Sequence, residues 1–233
     1  MIVYNGIALE SVAGVQIEDV RVSPIQYNPV ARERAWRMGS NFVRMLGAAR
    51  TITISFALLV QNPVERRASL LALSQWAKTD AEHRLELPWD AERFLSCVCT
   101  SKPDASTRQW FENKLKFIFT CFDNPYWTDK AEKSVSCGTQ FFVGGDAPPI
   151  MRIERTVSGS AAANQSYSDG TNTMTFSSIP VGNMVIDLNN QTAAVGGSSI
   201  MGNYAPSSRF ILPKTGVQTI TGTGTIKYRE RWE

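Results

Sequence analysis

Histidine is almost missing from this chain. Among 233 residues there is one, His83, and residues 134–233 contain none. The commonest general base and zinc ligand is therefore absent from nearly half the sequence. His83 lies in the charged stretch Asp80-Ala81-Glu82-His83-Arg84, which reads as a solvated helix end. Cysteine is sparse too, at Cys97, Cys99, Cys121 and Cys137. A C-x-C pair followed by two distant cysteines does not have the spacing of a zinc knuckle. Cys97 and Cys99 stand two apart in a strand-like stretch, so they share a face. They read as small buried hydrophobes, and no metal or cofactor is expected. No P-loop, dinucleotide fingerprint, Gly-x-Ser-x-Gly or His-Glu-x-x-His occurs. The pairs Gly144-Gly145 and Gly196-Gly197 read as turns. A glycosidase needs two converging carboxyls, but Asp146, Asp169 and Asp187 all sit in turn-like contexts, where Asp bonds to backbone. The chain reads as a non-enzyme.

Long apolar runs are also missing. The best, Ile52 to Val60, is broken by Thr53 and Ser55 and is far short of a membrane-spanning helix. The opening Met-Ile-Val-Tyr-Asn-Gly lacks a basic start followed by an apolar block, so no secretion signal or membrane insertion is expected. Net charge is only +3, too little to specify a nucleic-acid partner.

Charge and glycine are unevenly spread. Residues 1–133 hold 32 charged residues and 4 glycines, whereas residues 134–233 hold 13 and 12. Two folding units follow, 1–124 and 125–233. The junction is placed at Asn124-Pro125-Tyr126-Trp127, because Pro125 lacks a donor and pushes Asn124 out of helical geometry.

The first unit reads as α+β, with one helix on a sheet. Val15 to Val22 alternates with a slip: Val15 and Ile17, then Val20 and Val22, face one way. Residues 41–46 and 50–60 read as strands joined in a hairpin at Gly47-Ala48-Ala49. A helix at about 63–79 has Asn62 as N-cap, Pro63 at its first position and Glu65 at the positive end of its dipole. Leu70, Leu73 and Ala77, flanked by Trp76 and Ala68, form its core stripe, while Arg66, Arg67, Gln75 and Lys78 stay wet. Strands resume at 84–87, 94–100 and 114–122. The second unit reads as a β-sandwich, with strands at 135–143, 150–157, 173–176, 185–188, 193–195, 208–212, 218–221 and 225–231.

These features come in a telling order. An Arg-rich segment, Arg32 to Gly39, precedes Ala49-Arg50-Thr51-Ile52-Thr53-Ile54-Ser55-Phe56. The helix ending Leu73-Ser74-Gln75-Trp76 is followed by Arg84-Leu85-Glu86-Leu87-Pro88-Trp89. Then come Phe119-Thr120-Cys121-Phe122-Asp123-Asn124-Pro125-Tyr126-Trp127, Ala147-Pro148-Pro149-Ile150, Val185-Ile186-Asp187-Leu188-Asn189, Ser208-Arg209-Phe210-Ile211-Leu212-Pro213 and Arg231-Trp232. The order resembles the distal tail proteins of long, flexible-tailed bacteriophages over nearly the whole chain. Lys214-Thr215-Gly216-Val217 departs from the commoner Pro-Gly-Asn turn.

The resemblance implies a mostly β protein: an N-terminal ring-forming domain with its helix on a β-sandwich or split barrel, then a C-terminal sandwich like galectins and carbohydrate-binding modules. It implies a hexameric hub of the tail tip or baseplate in the virion, made in the host bacterial cytoplasm. Its partners would be the tail-tube protein, the tail-tip protein and receptor-binding proteins, with a host glycan as a further possibility. Alternatives are a tail-tube or other tail-tip ring protein, and a carbohydrate-binding accessory module with Tyr167, Tyr204, Tyr228 and Trp232 as the available aromatics. Arg32, Arg34, Arg37, Arg44 and Arg50 lie in a stretch where Glu33 is the only acid. Arg and Trp are favoured interface anchors, so Arg32, Arg34, Trp36 and Arg37 are the expected subunit contacts.

Overall fold

The computed structural model describes residues 1–33, 40–77, 81–102 and 114–233, with the backbone alone for residues 28–33, 40–48 and 114. Packing divides it into two units: Met1–Trp127 together with Glu233, and Thr128–Trp232. Both are built mainly of antiparallel strands, and one α-helix lies among the described residues.

In the first unit the strands are β1 (Val3–Tyr4), β2 (Ile7–Ala8), β3 (Val15–Val22), β4 (Gln26–Glu33), β5 (Ser40–Leu58), β6 (His83–Leu87), β7 (Asp90–Ser101) and β8 (Lys114–Cys121). The sheet runs β3-β5-β8-β7-β6-β1-β2, with β4 on the early part of β5. The alternation in β5 does what period 2 requires. Ile52, Ile54, Phe56 and Leu58 are fully buried, while Thr51, Thr53 and Ser55 are only half-buried. In β3 the register shifts between Ile17 and Asp19. This bulge is the slip expected from the sequence, and it lets Val15, Ile17, Val20 and Val22 all pack on the core.

The hairpin expected at Gly47-Ala48-Ala49 does not form. Those residues continue one 19-residue strand. Two short residues after a glycine supply none of the positive-φ pairs that a tight turn needs. The strand also changes partners there: Ala49 is the last residue paired with β4, and Arg50 is the first paired with β8. A local reading misses β4 because Pro29 and Asn28 look like strand breakers, but an edge strand tolerates proline.

The helix α1 runs Pro63–Trp76 and is capped at Ala77, against an expected end at about residue 79; residues 78–80 lie outside the description. Asn62 Oδ1 accepts from the Val64 amide at 2.9 Å, as an N-cap should. The buried face is Arg66, Ser69, Leu73, Trp76 and Ala77. Arg66 was expected to stay wet, but its spacing from Leu73 puts it on the stripe. There its Nη1 donates to the Leu58 carbonyl at 3.2 Å. Ala68, expected beside the stripe, is exposed. Trp76 meets Tyr4, Phe117 and Phe119 with ring centroids 5.2–5.8 Å apart, closing the core between helix and sheet.

β9 (Trp127–Asp129) spans the division between the units. The second unit contains β10 (Lys133–Ser136), β11 (Gln140–Val143), β12 (Ala147–Val157), β13 (Ala162–Ser168), β14 (Thr173–Ile179), β15 (Gly182–Asp187), β16 (Thr192–Val195), β17 (Ser198–Ser199), β18 (Gly216–Thr219) and β19 (Thr225–Trp232). One sheet runs β17-β16-β15-β12-β19-β10. The ribbons β11-β18 and β13-β14 lie outside it, linked by the bridge between Ser168 and Thr221. Ile153, Ile186 and Ile226 from the sheet share a core with Tyr167, Met174 and Phe176 from the ribbon β13-β14.

Two strand expectations change here, and β13 is a strand the sequence does not suggest. Residues 135–143 divide into two strands because Gly138 turns the chain with φ at 85°. Residues 208–212 form no strand. Pro206 and Pro213 flank them, and only scattered bonds, such as Arg209 amide to Thr173 carbonyl at 2.9 Å, tie them to β14. β13 went unseen because Ala-Ala-Asn-Gln-Ser-Tyr-Ser buries one large side chain, Tyr167.

Candidate assembly surface

A ribbon built from β4 and the first part of β5 is the most conspicuous unfinished element. Gln26 through Glu33 pair with Ser40 through Ala49, interrupted by register shifts after Tyr27 and after Val30. Among the described residues this part of β5 pairs with no other strand, and β4 pairs with nothing but β5. Each strand therefore offers one edge of backbone donors and acceptors without a ladder partner. A two-stranded ribbon without a third strand is marginally stable in water.

Arg32 stands on this ribbon, its backbone opposite Asn41, and Arg44 lies opposite Val30. Arg34, Trp36 and Arg37 lie outside the described residues. At the ribbon's root the side chains are clear. The Tyr27 hydroxyl donates to Glu233 Oε1 at 3.1 Å. A hydrogen bond with Tyr126, with lesser contributions from burial and from Glu233, pushes the Tyr27 hydroxyl well above the ordinary phenol range. Tyr126 belongs to the expected junction phrase, so part of that phrase is brought to the ribbon's root; Pro125 beside it is buried and Asn124 half-buried.

Arg50 completes the group. It is 5% exposed, and burial draws its pKa down against the opposing pull of Cys121, Glu233, Tyr27 and Tyr126. Among the described residues its Nε and Nη1 have no hydrogen-bond partner. Donors left unmade on a buried cation carry a cost. Arg50 stands out in the sequence among the basic residues, but Tyr27 gives no signal there, since its partners Tyr126 and Glu233 are remote in the chain.

Other sequence features take structural roles. Cys97, Cys99 and Cys121 are buried within the apolar core, as expected of small hydrophobes. His83 is not a solvated helix end. It opens β6, is half-buried, and lies edge-on to Tyr4 with centroids 5.7 Å apart. Asp169 Oδ1 accepts from the Thr171 and Asn172 amides, and Asp187 Oδ1 from those of Asn189 and Asn190. Both carboxylates thus serve turns. Of the aromatics available for a sugar platform, Tyr167 and Tyr228 are buried. Tyr204 is stacked on Phe210, and Trp232 donates to Asp129 Oδ1 at 3.0 Å.

No family profile and no curated protein matches the sequence. Solved structures do. One is the Dit (gp 19.1) protein of phage SPP1, described as a paradigm of hub adsorption apparatus in phages infecting Gram-positive bacteria. It is similar over 100% of this chain and 98% of its own, with a TM-score of 0.75 and 16% identity. A component of the phage P2 baseplate in its activated conformation with Ca gives a TM-score of 0.45 at 10% identity, covering 94% of this chain and 91% of its own. The chain has the mostly β fold of the SPP1 protein.

Proposed function

We propose that this chain is a structural component of the tail tip of a long-tailed phage, a hub ring made of copies of itself. In this reading six copies close the ring, which joins the tail tube to the tail-tip and receptor-binding proteins. The observation that carries it is the β4-β5 ribbon, whose two outer edges have no partner strand among the described residues. Likeness to the SPP1 hub protein over 100% of this chain and 98% of that one supports the same reading.

A ring needs a heterologous interface, one patch meeting a different patch on the neighbour and closed by rotation. An open strand edge suits this, because main-chain bonds give affinity and alternate side chains give specificity. Arg32 on the ribbon, with Arg34, Trp36 and Arg37 that follow it in the sequence, would anchor the contact. Residues 128–232 would serve as the outward, galectin-like unit on which peripheral tail proteins dock. That unit also weighs against a bare tube protein, which has little need of a second sandwich. The protein turns over no substrate in this account; its place is the virion, after synthesis in the host cytoplasm.

The test is the native mass of the purified full chain together with negative-stain images. Six-fold rings are expected from the wild type, and monomers from a variant whose residues 28–47 are replaced by a short Asn-Gly turn. A wild-type chain that stays monomeric up to its solubility limit and shows no rings overturns the proposal. So does a ribbon-less variant that still forms them.

A further inference from the structure

The first unit holds a pair of thiols to which the proposed ring gives no role. The antiparallel register of β7 and β8 sets Val98 opposite Thr120 and Cys99 opposite Phe119, and extending it by one residue places Cys97 opposite Cys121. Both are free and fully buried. Directly opposed residues of an antiparallel pair have Cα atoms about 4.5–5.5 Å apart. That lies inside the span of about 4.4–6.8 Å that a disulfide bridges.

The other two cysteines are placed differently. Cys99 Sγ is turned to the Ser101 carbonyl at 3.4 Å, and Cys137 belongs to the second unit. The same cross-strand row continues with Arg50 beside Cys121 and His83 beside Cys97, so no other cysteine competes for either thiol along it.

We propose that Cys97 and Cys121 are an oxidisable dithiol that closes to an internal disulfide and staples β7 to β8. The co-reactant is a small-molecule disulfide such as oxidised glutathione. The thiolate of one cysteine attacks it, forming a mixed disulfide and releasing one glutathione thiol. The second cysteine, as thiolate, then displaces the other glutathione. The two protons lost by the cysteines end on the two glutathione thiols, and the protein sulfurs are oxidised as glutathione is reduced. Burial keeps the intact site out of reach of the reagent. It also pushes the Cys97 thiol up, with the neighbouring Cys121 adding to the effect, so the native thiols are slow and the staple forms when the strands open. The link closes the loop of residues 97–121 and so restricts the unfolded chain. The proposal stands on sheet register alone and is independent of ring formation.

The experiment uses the full chain, incubated with oxidised glutathione in guanidinium below its unfolding midpoint and then returned to buffer. Expected are a mass lower by two hydrogens, a peptide map joining Cys97 to Cys121, and a Tm raised by about 5 °C or more, reversed by dithiothreitol. The double variant C99S/C137S should form the same link, and C97S should not. An unchanged mass, a link through Cys99 or Cys137, or a bridged protein with unraised Tm overturns the proposal. The wild-type peptide map decides the matter even if C97S fails to fold.

Discussion

Glu154 shows how single side chains set the stability of the second unit. Its carboxylate accepts from Lys227 at 2.7 Å and from Arg152 Nε at 2.7 Å. Arg152 in turn reaches Glu132 at 2.8 Å. The hydrogen bonds from Lys227 and then Arg152 hold the Glu154 carboxyl below the usual carboxylate range. A depressed folded pKa adds stability that is fully present above the unfolded value and is lost as pH falls through the folded one. Glu154→Gln should therefore lower stability at neutral pH, and the gap to wild type should close as acid titrates the wild-type carboxyl. Denaturant melts across an acid series would show this. A gap that stays constant with pH would mean that the carboxylate charge does no work. Glycine is decisive at Gly224, where φ is 123° and an added Cβ would run into the Glu154 carbonyl.

At the scale of elements, α1 illustrates a signal that was fully local. Asn62, Pro63 and Glu65 follow the rules for helix starts, and the cap bond is made as those rules require. Asn62→Ala should cost about 1 kcal/mol, measurable by chemical denaturation followed through Trp76, which packs on the core from the same helix. A loss near zero would mean that tertiary packing alone holds the first turn. The far end of the helix is less legible, since no glycine or proline marks it. β5 is the opposite case to the helix start. Its Gly-Ala-Ala stretch looks like a joint, yet two different neighbours, β4 before it and β8 after it, keep the backbone extended. Strand pairing overrides weak local preference.

For the molecule as a whole, the two units have separate cores. One is centred on Phe56, Phe117 and Phe119, the other on Ile153, Phe176 and Ile186. Phe117 and Phe176 are each fully buried, so truncating either to alanine should cost about 3–5 kcal/mol. The loss should be confined to its own unit. Hydrogen exchange read by mass spectrometry should show Phe117→Ala raising exchange in β5 and β8 while β12 and β19 keep their protection, and Phe176→Ala the reverse. Equal loss of protection in both units from either change would show that they unfold as one.

The sequence by itself determined the class of the protein and most of its elements. Period-2 burial in β3, β5 and β8, the helix start, and the Asp turns at 169 and 187 all follow from side chains acting on their own few neighbours. Its order of motifs also pointed to the fold that the SPP1 hub protein shares. Only the tertiary structure decided the rest. The meeting of Tyr27, Arg50, Tyr126 and Glu233, the burial of Arg66, the lone ribbon of β4 and β5, and the facing thiols of Cys97 and Cys121 each depend on register between strands far apart in the chain. Register is fixed by the sum of packing over whole faces of a sheet, and no short stretch of residues carries that sum.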